Sequence, residues 1–210
     1  MKQKYDRRED IIQFIRPHME ERFQESCREI QKKLEEHGSV MWNEVRELIQ
    51  EILENTVNMQ ERNRKGKIAY FVCSFLQSGV YLNRLLLRME TLDEGFYLDK
   101  QEIVDYYFPQ LLQDNYLEDL GFLNQKVYGE FARVQNHELD EISKVYTEYY
   151  NALMFKIVQD LSSLIMRTVM ESEVSLSDDF QIIYGEYMGS ATVLCVKEKS
   201  ENEVFPNQNG

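Results

Sequence analysis

Residues 80–92 carry the clearest strand-like pattern in the first two thirds of the chain, because apolar and charged positions alternate from residue 84. From residue 84 the odd positions are apolar and the even ones charged, with Leu86 as the exception: Leu85, Leu87 and Met89 against Arg84, Arg88 and Glu90. Successive side chains of an extended chain point to opposite faces, so this period is typical of a half-buried strand. We therefore predict a strand over residues 80–92 with one face on the core.

The flanks of this strand predict a helix before it and a short second strand after it. An apolar run over residues 68–78 predicts the helix, which Gly79 would end as a C-terminal cap. The segment DEG at residues 93–95 predicts a turn, after which residues 96–98 would return as a strand. The alternative is a single helix over residues 67–89, because apolar residues in this range also fit a heptad repeat.

Apolar residues recur at steps of three and four through most of the remaining sequence, which predicts amphipathic helices. Besides residues 68–78, the predicted helices cover residues 6–36, 39–61, 99–108, 116–120, 123–134 and 139–170. Pro17 kinks or divides the first of them, because proline removes a backbone N–H and crowds the preceding turn. The pattern leaves open whether residues 123–134 and 139–170 form one helix or two.

Two further alternating runs, residues 180–187 and 191–197, predict a β-hairpin. A lone hairpin is marginal in water, so we expect it to join the strand at 80–92 in a small antiparallel sheet. The predicted fold class is then α+β, mainly α, with a single domain over residues 1–197. Residues 198–210 are polar and lack periodicity, which predicts a disordered tail.

The net charge of −13, from 37 acidic and 24 basic residues, determines which partners we expect. An acidic protein repels nucleic acid and anionic membrane surfaces, so we expect neither as a partner. The first ten residues lack the apolar run of a signal peptide, and no uncharged stretch is long enough to span a membrane. Cys27, Cys73 and Cys195 lie far apart without CxxC spacing, which favours reduced thiols and a cytoplasmic location.

Short catalytic and cofactor motifs are absent from the sequence. It contains no GxGxxG, GxxxxGK[ST] or GxSxG segment. His18, His37 and His137 have no further ligands at the spacing of a metal site, and no neighbouring group activates a cysteine. We therefore expect no catalytic residue, no metal and no cofactor, and rank an enzyme without a short motif lowest.

Two functions remain as predictions. The preferred one is binding of a protein partner, or self-association, through the long amphipathic helices, above all the helix at 139–170 with its tyrosines. The alternative is a sensor or carrier of a small anionic ligand. If helices cover the outer face of the strand, Arg84 and Arg88 would point into a cleft with Tyr97 beside them and would pair with an anion. We expect the basic residues at 62–67 to form a solvated connection.

Overall fold

The computed structural model describes residues 6–197, and only the backbone at Tyr97; the tail predicted at 198–210 lies outside the described residues. Three α-helices run over Arg7–Glu61 (α1), Gln110–Glu130 (α2) and Asn136–Met170 (α3). Five strands run over Ile68–Phe75 (β1), Leu87–Asp93 (β2), Val104–Tyr107 (β3), Leu176–Glu186 (β4) and Ala191–Val196 (β5). Two short 3₁₀ segments, Gln77–Leu82 and Phe96–Leu98, flank β2.

The strands form one sheet in the order β3-β2-β1-β4-β5. The pairs β1–β2, β2–β3 and β4–β5 are antiparallel, whereas β1 and β4 are parallel. The predicted class, α+β and mainly α, is confirmed, but the prediction of a small antiparallel sheet is wrong because the sheet is mixed. Parallel neighbours need a long crossover, and the chain from β2 through β3, α2 and α3 supplies it.

The stretch around β1 and β2 differs most from its predicted structure. Residues 68–75 form β1, not a helix, so the helix predicted at 68–78 and the alternative helix at 67–89 are both wrong. The strand predicted at 80–92 begins only at Leu87, after a 3₁₀ segment. The central strand β1 is buried on both faces, and such a strand is a continuous apolar run without alternation. That run has the same appearance as a buried helix segment.

The segments after β2 also differ from the predicted ones: a predicted strand is a 3₁₀ segment, and part of a predicted helix is a strand. Phe96–Leu98 is a 3₁₀ segment, not the predicted strand. Val104–Tyr107, predicted within a helix at 99–108, is instead β3 and pairs with β2. The predicted hairpin is confirmed, with β4 beginning earlier, at Leu176. Its neighbour in the sheet is β1, a segment predicted as a helix, and not the strand predicted at 80–92.

A single helix of 55 residues, α1, replaces the two helices predicted at 6–36 and 39–61. The side chain of Asp6 caps its start by accepting from the Arg8 N–H. Pro17 and Gly38 both lie inside the helix. Buried residues continue on both sides of Gly38, with Ile30 before it and Met41 after it, so packing outweighs the low helix propensity of glycine, a cost of about 1 kcal/mol.

The remaining helices settle the open question about the second half. The segments predicted at 116–120 and 123–134 fall in one helix, α2, which begins earlier, at Gln110, and ends at Glu130. It is separate from α3, which begins with a capping box formed by Gln135 and Glu138.

The helices pack on one face of the sheet, which we call the inner face, with α1 against β2 and β3 and α3 against β4 and β5. Leu85, Leu87 and Met89 lie in this core, as predicted. Buried residues on α3 recur at steps of four: Ile142, Tyr146, Tyr150, Met154, Val158 and Ser162. Four residues exceed one helical turn by about 40°, so the buried stripe of α3 winds around the helix. The helix therefore faces α1 and α2 at its start and the sheet at its end.

Candidate functional site

Arg88 lies on the outer face of β2, opposite the core, as the alternation predicts. The side chain is nevertheless buried, with 6% of the residue exposed. Its guanidinium donates from Nε and Nη2 to the two oxygens of Glu90, at 3.0 and 2.7 Å. Nη2 also donates to Glu102 at 2.6 Å. Two carboxylates thus neutralise the cation within the chain.

Two tyrosines complete the surroundings of Arg88. Its Cζ lies 4.5 Å from the ring centroid of Tyr187, and Nη1 donates to the Tyr106 hydroxyl at 3.2 Å. Burial opposes the charged form, but the hydrogen bonds to Glu90 and Glu102 outweigh it and raise the pKa of Arg88 above its ordinary value. The arginine therefore has a structural role, and an external anion would have to displace Glu102 to bind it.

Arg84 has different surroundings from Arg88. It is exposed and precedes β2, and its Cζ lies 5.4 Å from the ring centroid of Phe108. The side chain of Tyr97 lies outside the described residues. The ligand site predicted at Arg84, Arg88 and Tyr97 consequently stays a prediction.

The loop that carries Arg84, residues 77–86, is held in a fixed conformation, and we call it the Tyr81 loop. Gln113 of α2, which is 7% exposed, holds the loop through two hydrogen bonds to its backbone. Its side-chain oxygen accepts from the Leu85 N–H, and its side-chain nitrogen donates to the Asn83 carbonyl, both at 2.8 Å. Asn83 adopts the left-handed conformation, with φ of 49°. The loop is therefore a rigid element on a helical support.

The Tyr81 loop exposes two large apolar side chains. Tyr81 is 83% exposed and Leu82 69%, next to the exposed cation of Arg84 and the half-exposed ring of Phe108. Loops held on a rigid scaffold commonly carry binding residues. Sequence reasoning missed this surface because Val80, Tyr81 and Leu82 favour a strand, and because Gln113 is far from them in sequence.

The densest buried polar cluster joins the three helices at Asp119 of α2, which is fully buried. Its carboxylate accepts from Arg22 Nε at 2.6 Å and from Ser26 Oγ at 2.8 Å, both on α1. It also accepts from the hydroxyls of Tyr146 and Tyr150 on α3, each at 2.7 Å. Burial, and then these bonds to Asp119, raise the pKa of both phenols well above their ordinary range. The phenols thus stay protonated as donors, which makes the cluster a structural joint.

The other groups that could do chemistry are dispersed. Within residues 6–197, no three His, Cys, Asp or Glu side chains lie together as a metal site would require. Burial raises the pKa of the Cys73 thiol to about 12, so it is not a thiolate at neutral pH. Burial also raises the pKa of Cys27. The expectations of no metal, no cofactor and no catalytic residue stay predictions.

Three open clefts lie away from Arg84 and Arg88. They have volumes of about 420 Å³ between the ends of α1 and α3, 680 Å³ beside the loop after β2, and 620 Å³ along the start of α1. The second is lined by Arg64 and Lys67, but also by Asp93 and Glu94. Lys65, between the two basic residues, is buried and donates to Asp99 at 2.6 Å. The basic segment is therefore only partly the solvated connection that we predicted.

Comparisons with known proteins add no family or neighbour to this description. The chain matches no protein-family model, no curated protein and no solved structure. Within the described residues, none of the helices has the length and apolar composition that crossing a bilayer requires.

Proposed function

We propose that the protein is non-catalytic and binds another protein through the Tyr81 loop. The observation that carries the proposal is the exposure of Tyr81 and Leu82 on a loop that Gln113 holds rigid. Tyrosine and arginine dominate the energetics of protein interfaces, and a preformed loop loses little conformational entropy on binding. The loop therefore presents a tyrosine and an arginine at a small entropic cost of binding.

The chemistry of the loop indicates the kind of partner. Tyr81 and Leu82 would enter an apolar pocket. Among the described residues Arg84 forms no ion pair, and its guanidinium lies over the ring of Phe108. An acidic chain that leaves an exposed arginine unpaired can offer it to a carboxylate of the partner. We therefore propose a partner with an apolar pocket and an adjacent carboxylate.

The long helices, which the sequence favoured as the binding surface, are less suited to this role. Their apolar stripes are used within the chain, and the large apolar residues that they expose are Val40 on α1 and Met170 on α3. We keep the cytoplasm as the proposed compartment, supported by three cysteines that form no disulfide.

Site-specific photocrosslinking in the native host tests the proposal. A photoreactive phenylalanine analogue at position 81 should capture a defined protein, whereas the same analogue at Leu98, which is 84% exposed, should not. The captured protein is then purified and titrated calorimetrically. Tyr81→Ala and Arg84→Ala should each weaken binding at least tenfold, and Leu98→Ala should leave it unchanged. Equal capture from both positions, or full affinity of Tyr81→Ala, would contradict the proposal.

The anionic-ligand alternative stays a prediction with its own test. A thermal-shift screen against phosphate, citrate and nucleotides should raise the melting temperature if an anion reaches Arg88. Glu102→Gln should then strengthen binding, because Glu102 is 62% exposed and competes for the same Nη2. A screen that shifts neither the wild type nor Glu102→Gln would remove this alternative.

A further inference from the structure

Two tyrosine rings from separate segments lie together on the outer face of the sheet. Tyr106 lies on this face because it pairs directly with Arg88 of β2, while the next residue, Tyr107, packs into the core. Tyr187, from the turn between β4 and β5, lies over the same arginine. Tyr106 is 44% exposed and Tyr187 37%, on the face opposite to the one where α1 and α3 pack. We call these two residues the tyrosine pair.

Arg88 holds the tyrosine pair in a fixed arrangement. Its Cζ lies 4.5 Å from the ring centroid of Tyr187 and 6.0 Å from that of Tyr106, so the two centroids are at most 10.5 Å apart. The guanidinium is itself fixed by its hydrogen bonds to Glu90 and Glu102. The pair is therefore preorganised, which lowers the entropic cost of binding a ligand.

The polar groups beside the rings indicate the chemistry of such a ligand. The Tyr106 hydroxyl accepts from Arg88 Nη1 at 3.2 Å, so its own proton can be donated outward to an acceptor on the ligand. A ligand lying across the rings then needs apolar surface for the rings and a carbonyl oxygen for this hydroxyl. Glu102, whose side chain is 62% exposed, adds a carboxylate that attracts a basic residue.

A proline-rich segment has these properties. A polyproline II helix has three residues per turn and rises about 3.1 Å per residue, so prolines at i and i+3 lie about 9 Å apart on one side. This repeat fits within the limit of 10.5 Å between the two rings. Proline has no backbone N–H, and a polyproline II helix makes no internal hydrogen bonds, so its carbonyls need external donors. Aromatic surfaces recognise such segments in several kinds of domain.

We propose that the tyrosine pair binds a proline-rich segment of another protein, with a basic residue of that segment at Glu102. The net charge of −13 also favours a segment with a basic flank. Tyr81 is not part of this site, so the inference does not rest on the proposed function of the Tyr81 loop.

Fluorescence anisotropy of a labelled synthetic peptide tests the proposal with the purified chain. The probe has eight consecutive prolines followed by two arginines, and we expect a dissociation constant on the order of 100 µM. A peptide with alanines in place of the prolines should bind at least tenfold more weakly, because it lacks the preformed extended helix. A proline peptide that ends in two glutamates should also bind more weakly, and Glu102→Gln should reduce that difference.

Variants of the chain locate the binding surface. Tyr106→Ala and Tyr187→Ala should each weaken binding of the proline peptide at least tenfold. Tyr106→Phe keeps the ring but loses the hydroxyl donor, so it should weaken binding by a smaller factor, about three- to tenfold. Tyr128→Ala, at a tyrosine on α2 that is 57% exposed, should leave binding unchanged. Circular dichroism confirms that each variant is folded.

Three results would overturn the proposal. They are a wild type that does not bind the proline peptide at millimolar concentration, equal binding of the alanine peptide, and full affinity of the folded Tyr106→Ala and Tyr187→Ala variants. Tyr81→Ala should bind the peptide as tightly as the wild type. Failure of this inference is therefore distinguishable from failure of the proposed function.

Discussion

At the scale of single residues, Asp119 contributes most to how the helices fit together. One buried carboxylate is hydrogen-bonded to α1 through Arg22 and Ser26 and to α3 through two tyrosines. Breaking a buried ion pair from one side is costly because the remaining charge loses its partner. The same loss would leave the two phenol hydroxyls buried without an acceptor.

We therefore expect Asp119→Ala to lower the free energy of unfolding by about 3–5 kcal/mol. Chemical denaturation followed by circular dichroism measures it. The adjacent Glu118→Ala should have little effect, because the Glu118 side chain is 71% exposed and exposed ion pairs contribute little. Similar losses for both variants would contradict the structural role of the cluster.

A second residue-scale prediction concerns acid stability at the buried pair of Lys65 and Asp99. Burial alone would raise the pKa of Asp99, but the hydrogen bond from Lys65, and those from the Gln101 and Asp93 N–H groups, outweigh it and lower the pKa. A carboxyl whose pKa is lower in the folded state stabilises the fold above its unfolded pKa of about 3.9. That stabilisation is lost as the pH falls through the folded pKa.

The melting temperature of the wild type should consequently exceed that of Asp99→Asn by a constant difference at neutral pH. This difference should shrink below about pH 4. Thermal melts between about pH 2 and 7 measure it. Lys65→Met removes the same pair from the other side and should show the same convergence with the wild type. A margin that does not depend on pH would exclude this carboxylate as the cause.

At the scale of elements, glycine has opposite roles in α1 and in the Tyr81 loop. Gly38 lies inside α1, where a Cβ would meet nothing within 4 Å. Gly79 lies in the loop, where a Cβ would overlap the backbone oxygen of Arg84. The Arg84 N–H also donates to the Gly79 carbonyl at 2.9 Å, so the chain passes close to itself at this point.

We expect Gly38→Ala to stabilise the protein by about 0.5–1 kcal/mol, because alanine is the better helix former. Gly79→Ala should destabilise it by about 1–3 kcal/mol, because the backbone must move to accept the methyl group. Thermal or urea denaturation of both variants measures the sign of each change in the free energy of unfolding. Gly79→Ala should also weaken any binding through Tyr81, whereas stabilisation by this variant would show that the loop is not closely packed.

At the scale of the whole molecule, α1 determines the longest dimension. Its 55 residues correspond to a contour of about 80 Å, whereas a compact chain of this length has a radius of gyration of about 17 Å. The first half of α1 packs against α2 and α3, and the second half against the sheet. The helix is therefore the shared wall of two packing regions.

Small-angle X-ray scattering of the monomer should give a maximum dimension near 80 Å and a radius of gyration above about 17 Å. The measurement belongs at low concentration, so that association between copies does not contribute. A maximum dimension near 50 Å would show that α1 bends sharply, with Pro17 as the first place to look.

Local patterns predicted those parts of the fold that local forces determine. The hairpin of β4 and β5, the core face of β2 and the amphipathic character of the helices follow from periodicity. The predicted helix boundaries around Gly38 and Gly121 are wrong because packing overrides them: a glycine cost of about 1 kcal/mol is small beside a continuous apolar stripe. β1 could not be recognised, since burial on both faces removes its alternation.

The candidate sites depended even more on distant partners. Arg88 was correctly assigned to the outer face, but its neutralisation by Glu102 and its contact with Tyr187 join three separate segments. Rigidity of the Tyr81 loop depends on Gln113, about 30 residues away. A single sequence shows which residue types are present, but it does not show which distant residues come into contact.

The parallel pairing of β1 with β4 has a consequence for biosynthesis. Ile68 leaves the ribosome long before its partner Leu176 is translated. Until then, the central strand β1 pairs only with β2. The apolar side of α3 that packs on β4 and β5 in the folded chain is also still exposed. We expect nascent chains to expose this apolar surface and to engage ribosome-associated chaperones until the last hairpin emerges. Completion of the hairpin would then be the event that releases the chain.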